Sequence, residues 1–193
     1  KSQNKFQIFG ASNWSLERFI EANVWAKKNN KSGFSILNNN LSLCKMIKPL
    51  WDGCVSSNDD KILNYLEKTK TAHLSWSSQG RGYFLSDKKV QEIENQISKN
   101  ETWRKPGEHS SGPLSCFDSK DNRERKKRSI LLAKKLNTTC QNIAGAWPIN
   151  LNFPSFALIG PRNIQEINSC LNNLEIKLSI NEINWLNLNE KKI

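Results

Sequence analysis

Histidine and tyrosine are scarce in this chain, with two of each among 193 residues. His73 and His109 do not stand at ligand spacing, which disfavours a histidine-built metal site. The five cysteines (44, 54, 116, 140 and 170) form no C-x-x-C pair, so a zinc ribbon or thioredoxin-like motif is disfavoured too. Their odd number and scatter fit a reducing, cytoplasmic compartment better than a disulfide framework. No apolar run approaches the ~20 residues of a membrane span, and no membrane partner is expected. Lys1-Ser-Gln-Asn-Lys5 leads into no apolar signal-peptide core. The first residue is not Met, so the chain is expected to be part of a longer one.

What is present reads as globular. Hydrophobic residues make up 37% and charged residues 24%, with seven Trp and eight Phe. The length suits one sizeable domain. The net charge of +11 is compatible with nucleic acid, an anionic surface or a phosphorylated small molecule. Yet Asn, Lys and Ile are all abundant and all have AT-rich codons, so genome bias is an equal alternative to an anionic partner as the source of the charge. The run Arg123-Glu-Arg-Lys-Lys-Arg128 could contact phosphates. No aromatics are interleaved with it, as single-strand binders usually require. A solvated helix face is the simpler reading, and nucleic acid is a disfavoured partner.

Patterning along the chain alternates strands with helices. Phe6–Ser12, Phe34–Leu37, Ala72–Trp76 and Phe156–Ile159 read as buried strands. Helices are expected from Ser15 as N-cap to about Lys28, from Asp59 to Lys70, from Asp87 to Lys99, and from Arg123 to Leu136. A further helix is capped at Thr138 with Gln141 three residues on, and another runs from Ile164 to about Leu174. Ser179-Ile-Asn-Glu182 forms a capping box for the last. Lys105–Asp121 carries Pro and Gly and reads as a long loop. Alternation of this kind is the signature of parallel βαβ units, an α/β fold.

Each strand ends in small or polar residues: Ser12-Asn13, Asn38, Ser77-Ser78 and Gly160-Arg162. Parallel α/β proteins place their sites at such strand ends. At the last, the apolar run stops at Gly160-Pro161-Arg162, and Asn163 with Glu166 caps a helix whose Ile164, Ile167, Leu171 and Leu174 form one stripe. A helix start of that kind can hold a phosphate.

These segments resemble a known family in order and spacing over nearly the whole chain. Gly10-Ala-Ser-Asn-Trp14 resembles the G-x-S-N-[FW] segment of aldo/keto reductases. Asn38-Asn-Asn-Leu-Ser-Leu43 is similar to their Q-x-x-Y-[SN]-L, and Trp76-Ser-Ser-Gln-Gly-Arg-Gly82 to their Y-S-P-L-x-x-G. Ile159-Gly-Pro-Arg162 resembles their phosphate-binding I-P-G-x-R end, and Trp185-Leu fits the closing helix. Pro49-Leu-Trp-Asp-Gly-Cys54 and Ser77-Ser78-Gln79 look like a bacterial subgroup. The resemblance implies a (β/α)8 TIM barrel binding NADP or NAD in extended form. In it, Ser12 and Asn13, helped by Asn38, would hold the nicotinamide carboxamide. Trp76 would stack on the ring, and Ser77, Ser78 and Gln79 would line the pyrophosphate. Gly160 and Arg162 would meet the adenosine phosphate end. Glu166 and Cys170 fall at positions that contact the adenine half, and an acid at 166 would repel a 2′-phosphate.

The same resemblance implies an absence. The family's catalytic Asp, Tyr, Lys and His come from its first four strands, and this chain begins at about the fifth. Tyr65 and Tyr83 match none of those positions. Residues 1–193 are therefore expected to be a single partial domain, the C-terminal half of the barrel, about strands 5–8. Its expected function is to form the cofactor-binding half of an NAD(P)-dependent oxidoreductase for a carbonyl or sugar-like substrate. Its partner would be an N-terminal half-barrel in the same gene or a second chain. Residues 83–120 would contribute to the pocket wall. The alternatives are a non-catalytic remnant that kept the fold, or a basic module for phosphate or nucleic acid. Pro148, inside Ala144-Gly-Ala-Trp-Pro148, is expected to end its helix early or cost it ~3 kcal/mol.

Overall fold

The computed structural model describes residues 5–99 and 112–193. Strands β1 (Gly10–Ser12), β2 (Ile36–Asn38), β3 (Ala72–Ser75) and β4 (Ser155–Ala157) form one sheet in the order β1-β2-β3-β4. Every pairing is parallel. Helices α1 (Leu16–Lys28) and α2 (Asp60–Thr69) follow β1 and β2. After β3 come α3 (Asp87–Lys99), α4 (Pro113–Phe117), α5 (Lys120–Lys135) and α6 (Cys140–Ile149). After β4 come α7 (Ile164–Leu171) and α8 (Ile180–Leu186). This is the βα succession of a (β/α)8-like fold. Among the described residues, no helix is long and apolar enough to cross a membrane.

The strands are shorter than the apolar runs that announced them, because pairing stops where a neighbour stops. The helix starts follow the cap chemistry. Ser15 accepts from the Arg18 amide at 3.3 Å, and Asp59 from the Lys61 amide at 2.8 Å. Ser179 and Glu182 form a reciprocal capping box. One cap differs from expectation: Thr139, not Thr138, accepts from the Asn142 amide at 3.1 Å. The loop expected over 105–121 is in part helical. Ser119 caps α5, and α4 precedes it, while 105–111 and His109 lie outside the described residues. Pro148 stands next to last in α6, where its missing N–H costs one bond. Asn150 closes that helix end, its Nδ2 donating to the Ala146 and Ile176 carbonyls at 2.8 and 3.0 Å.

Only one side of the sheet is fully covered. Ala11 pairs with Leu37, and Leu37 with His73, and all three are buried against the helices. Behind them Phe19, Leu66, Phe117, Leu132, Ile143, Trp147 and Leu186 fill the core. On the opposite side Ser12 pairs with Asn38, and Leu74 with Phe156. There Ser12 is exposed and Phe156 is 55% exposed. Two expectations therefore fail. The run Phe156–Ile159 is not buried, since Leu158 and Ile159 are exposed as well. The stripe Ile164, Ile167, Leu171 and Leu174 faces solvent, and α7 has no buried residue. Among the described residues no element lies over that stripe or pairs with the outer edge of β4. At the other edge, Ile8, Val24 and Trp25 are exposed too.

The basic helix is largely a structural element. Arg125 is 5% exposed and donates to Asn122 Oδ1 at 3.1 Å. Arg128 holds the C-terminal segment through the Glu190 carbonyl at 2.7 Å and pairs with Glu124 at 3.0 Å. Lys126 pairs with Asp87 at 2.7 Å, and Arg123 with Asp118. Most of the run's cations are thus engaged within the chain.

Candidate functional site

The polar strand ends lie side by side at the C-terminal end of the sheet. β1 ends at Ser12, and Asn13 turns the chain with a left-handed φ of 58°, which Asn tolerates better than most residues. The Asn13 amide donates to the Asn38 carbonyl at 3.1 Å, and its Oδ1 accepts from the Val55 amide at 3.0 Å. The first bond ties the end of β1 to the end of β2, and the second fixes the loop 49–58 to the end of β1.

The tract Asn38-Asn39-Asn40 is a cross-strand clasp. Asn38 Nδ2 donates to the Leu74 carbonyl in β3 at 2.7 Å. Asn39 pairs with both the N–H and the carbonyl of Trp14, at 3.2 and 2.9 Å. Asn40 Nδ2 donates to the Trp76 carbonyl at 3.2 Å. Buried amides satisfied in this way rigidify the strand ends, because breaking one leaves a buried polar group unpaired.

Trp76 follows β3 and is half-buried. Its ring is stacked on Trp51, with centroids 5.1 Å apart and planes 23° from parallel. Ser77 has φ 50°, and the Gly80 amide donates to its carbonyl at 2.8 Å, winding Ser77–Gly80 into a tight turn. Gly80 is required there: φ is +61°, and a Cβ would lie 2.4 Å from Cys44 Sγ. Ser78 is 2% exposed, and its hydroxyl donates to the Leu158 carbonyl at 3.1 Å, joining the ends of β3 and β4. Gln79 reaches α7, where its Oε1 lies 3.9 Å from Cys170 Sγ.

Gly160 is open, with nothing within 4 Å of where a Cβ would stand. Arg162 is exposed and engaged by Glu166. The carboxylate takes the guanidinium at 2.8 and 3.1 Å and the Arg162 backbone amide at 2.7 Å. The Arg162 side chain, then its backbone amide, holds the Glu166 carboxyl below its ordinary range. The sequence-derived residues therefore separate into two groups. Ser12, Asn13, Asn38, Trp76, Ser77 and Ser78 are brought together at the strand ends. Gly160 and Arg162 stand further out, at the start of α7, with Gln79 between the groups.

Two features have no counterpart in the sequence reading. One is the Trp51–Trp76 stack. The other lies beneath the strand ends, where His73 Nδ1 is 2.9 Å from the Ser75 hydroxyl and Nε2 is 3.0 Å from that of Ser57. His73 is fully buried, and burial lowers its pKa to about 4, so it is neutral at pH 7. The strand alternation of Ala72-His-Leu-Ser75 puts His73 on the covered face; its partner in the loop carries no periodic signal.

Three groups that could do acid–base or nucleophilic chemistry are shifted away from neutral pH. Burial, with the Asp118 charge beside it, pushes the Tyr83 hydroxyl upward. Burial likewise raises Cys44 to about 12 and Cys140 to about 11. None of the three is activated as a proton donor or thiolate near neutral pH. Among the described residues, no three His, Cys, Asp or Glu side chains are grouped to hold a metal.

The family model described as "Aldo/keto reductase family" matches residues 5–188. A comparison with curated protein sequences gives no match. Among solved structures, the fold matches a thermostable aldo-keto reductase crystallised with the inhibitor epalrestat, at TM-score 0.62 and 16% identity. That match covers 97% of this chain and 50% of the reductase, so the chain spans about half the length of the structure it resembles. At 16% identity the structural match speaks for the fold, an α/β architecture with parallel strands and outer helices. With the family match running over nearly all of its length, the chain belongs to the aldo/keto reductase family.

Proposed function

We propose that this chain is the cofactor-binding half of an NAD(P)-dependent oxidoreductase, the C-terminal half of a (β/α)8 barrel. The carrying observation is that 97% of the chain matches half of a solved reductase, while β1 and β4 each have one unpaired edge among the described residues. An open parallel sheet with one bare face is an incomplete unit. Its complement would be a four-stranded half-barrel, from the same gene or from a second chain, carrying the acid–base residues.

The dinucleotide would lie across the strand ends. Ser12 offers a hydroxyl at the nicotinamide end, next to Asn13 and Asn38, and Trp76 offers a flat stacking face. Ser77, Ser78 and Gln79 would flank the pyrophosphate. Gly160 leaves room at the start of α7 for the adenosine phosphate, with Arg162 as its cation. The residues suit the group in type and order. Several are engaged within the chain, however: Asn13 by Val55, Asn38 by Leu74, Ser78 by Leu158, Arg162 by Glu166. When bound, the cofactor supplies a hydride. The protein's part at this end is to bind and orient it. A carbonyl or sugar-like substrate is the class that fits the family, and a cytoplasmic setting fits the five free thiols.

The test is a titration of NADPH and NADH into the folded chain, followed by Trp fluorescence. Saturable quenching is expected, with no carbonyl reduction by the chain alone. Absence of binding in a sample shown to be folded by circular dichroism would remove the cofactor reading for the isolated chain. A second reading, a non-catalytic protein that retains the fold, is favoured by the Arg162–Glu166 pair and the Asn38–Leu74 bond. It expects folding with neither dinucleotide bound.

A further inference from the structure

The ring that Trp76 would offer a cofactor already has a partner. Trp51 stacks on it, at 5.1 Å between centroids and 23° between planes. The two rings differ in exposure: Trp51 is 40% exposed and Trp76 is half-buried. Trp76 follows directly from β3; its carbonyl is held by Asn40 Nδ2 at 3.2 Å, and its amide donates to the Asn39 carbonyl at 3.4 Å. It is therefore fixed by the sheet.

Trp51 sits at the tip of a loop that is anchored on both sides. Leu50 before it is fully buried, and Cys54 after it is 8% exposed. Past Cys54 the loop root is tied down by Val55 to Asn13, by Asn40 to Val55 and by Ser57 to Asn40. His73 holds Ser57 from below. Between the anchors stand only Trp51, Asp52 and Gly53, all exposed, and Gly53 has φ 78° with open space around it. Trp51 itself is 40% exposed. The Cys54 amide donates to the Trp51 carbonyl at 3.1 Å, which closes the tip as a turn, so Trp51 leaves the stack by rotating its exposed side chain while the loop backbone stays in place.

We propose that Trp51 competes with the ligand's flat ring for Trp76, so that loading the site requires Trp51 to leave the stack. The ligand class is a dinucleotide or another molecule with a planar aromatic ring. Trp51 then sets affinity without touching the reacting atoms: the loading-competent state is the fraction of molecules with the Trp51 ring turned off Trp76, and apparent affinity falls with that fraction. This inference rests on the proposed cofactor site.

The experiment compares the wild-type chain with W51A, W51F and W76A, titrated with NADPH and with NADH by calorimetry. The Trp–Trp exciton signal in circular dichroism is recorded alongside. W51A should bind roughly two- to tenfold tighter, the factor that one stacked aromatic pair supplies, with W51F in between. W76A should bind more weakly. The exciton signal should be absent in W51A and should fade as wild type is saturated. Equal or weaker binding by W51A, or an exciton signal that survives saturation, would overturn the competition and leave the cofactor site standing. Loss of binding in wild type and W51A alike would remove both. If W51A fails to fold, W51F and the wild-type exciton response decide the matter.

Discussion

Arg162 and Glu166 close on each other. The carboxylate takes the guanidinium at 2.8 Å and the Arg162 backbone amide at 2.7 Å, one turn into α7. The expected cofactor cation and the expected repelling acid are thus one unit, in which Glu166 also takes the backbone amide just ahead of the N-cap Asn163. An anion arriving there has to displace a carboxylate. Glu166→Gln keeps the shape and removes the charge. It should tighten NADPH binding by roughly two- to fivefold, the scale of one exposed ion pair, and more than it tightens NADH. The NADPH-to-NADH ratio, by calorimetric titration at low salt, checks this. An unchanged ratio would remove Arg162 from the phosphate end.

His73 makes stability depend on pH. Burial lowers its folded pKa to about 4, from an ordinary 6.5. Between those values the unfolded chain binds a proton that the native one refuses. Stability is therefore full above pH 6.5 and falls as pH drops toward 4, by up to roughly 3 kcal/mol. Urea unfolding at pH 7.5 and pH 4.5 should show the loss. His73→Gln, which still offers polar atoms to Ser57 and Ser75, should flatten that part of the profile even if it lowers stability throughout. A wild-type profile flat over this range would mean that His73 is solvated.

Gly145 lies where α6 meets the segment after α7. A Cβ there would stand 2.2 Å from Asn173 Nδ2 and 2.8 Å from Gln79 Nε2. Gly→Ala inside a helix normally gains up to ~1 kcal/mol. Here Asn173 is 4% exposed and has little room to yield. Gly145→Ala is expected to cost about 1–2 kcal/mol net, the scale of overpacking, or a melting shift of several degrees. Adding Asn173→Ala should recover most of it. A stabilised single variant would show that Asn173 moves aside freely.

Local chemistry made much of this fold legible. Ser15, Asn163 and Ser179 announced their helices, since a cap needs only a side-chain oxygen and the next three residues. The four polar strand ends were legible for the same reason, and Ser12, Asn38, Trp76 and Ser78 do gather at one end of the sheet. Burial was less legible. The spacing of Ile164, Ile167, Leu171 and Leu174 shows that they share a face, but cannot say whether anything lies against it. Nor does sequence tell whether Asn38 and Arg162 direct their polar groups at a ligand or at Leu74 and Glu166, because that choice is made by geometry across 36 and 4 residues respectively. Trp51 stands in a loop, where no periodicity points to Trp76.

The exposed stripe on α7 separates a complete protein from an incomplete one. Ile167 and Leu171 are 39% and 51% exposed, beside a β4 edge unpaired among the described residues. If these faces await a complementary half-barrel, polar residues there should barely change the isolated chain but should alter what it associates with. Ile167→Gln with Leu171→Gln is expected to leave unfolding free energy within about 0.5 kcal/mol of wild type per site. Leu66→Ala in the core should cost about 3 kcal/mol by contrast. The same double variant should sediment with less self-association at equal concentration, because an uncovered apolar stripe is a contact surface. A large loss of stability in that variant would place the stripe inside a core, and the chain would then need no complement to cover it.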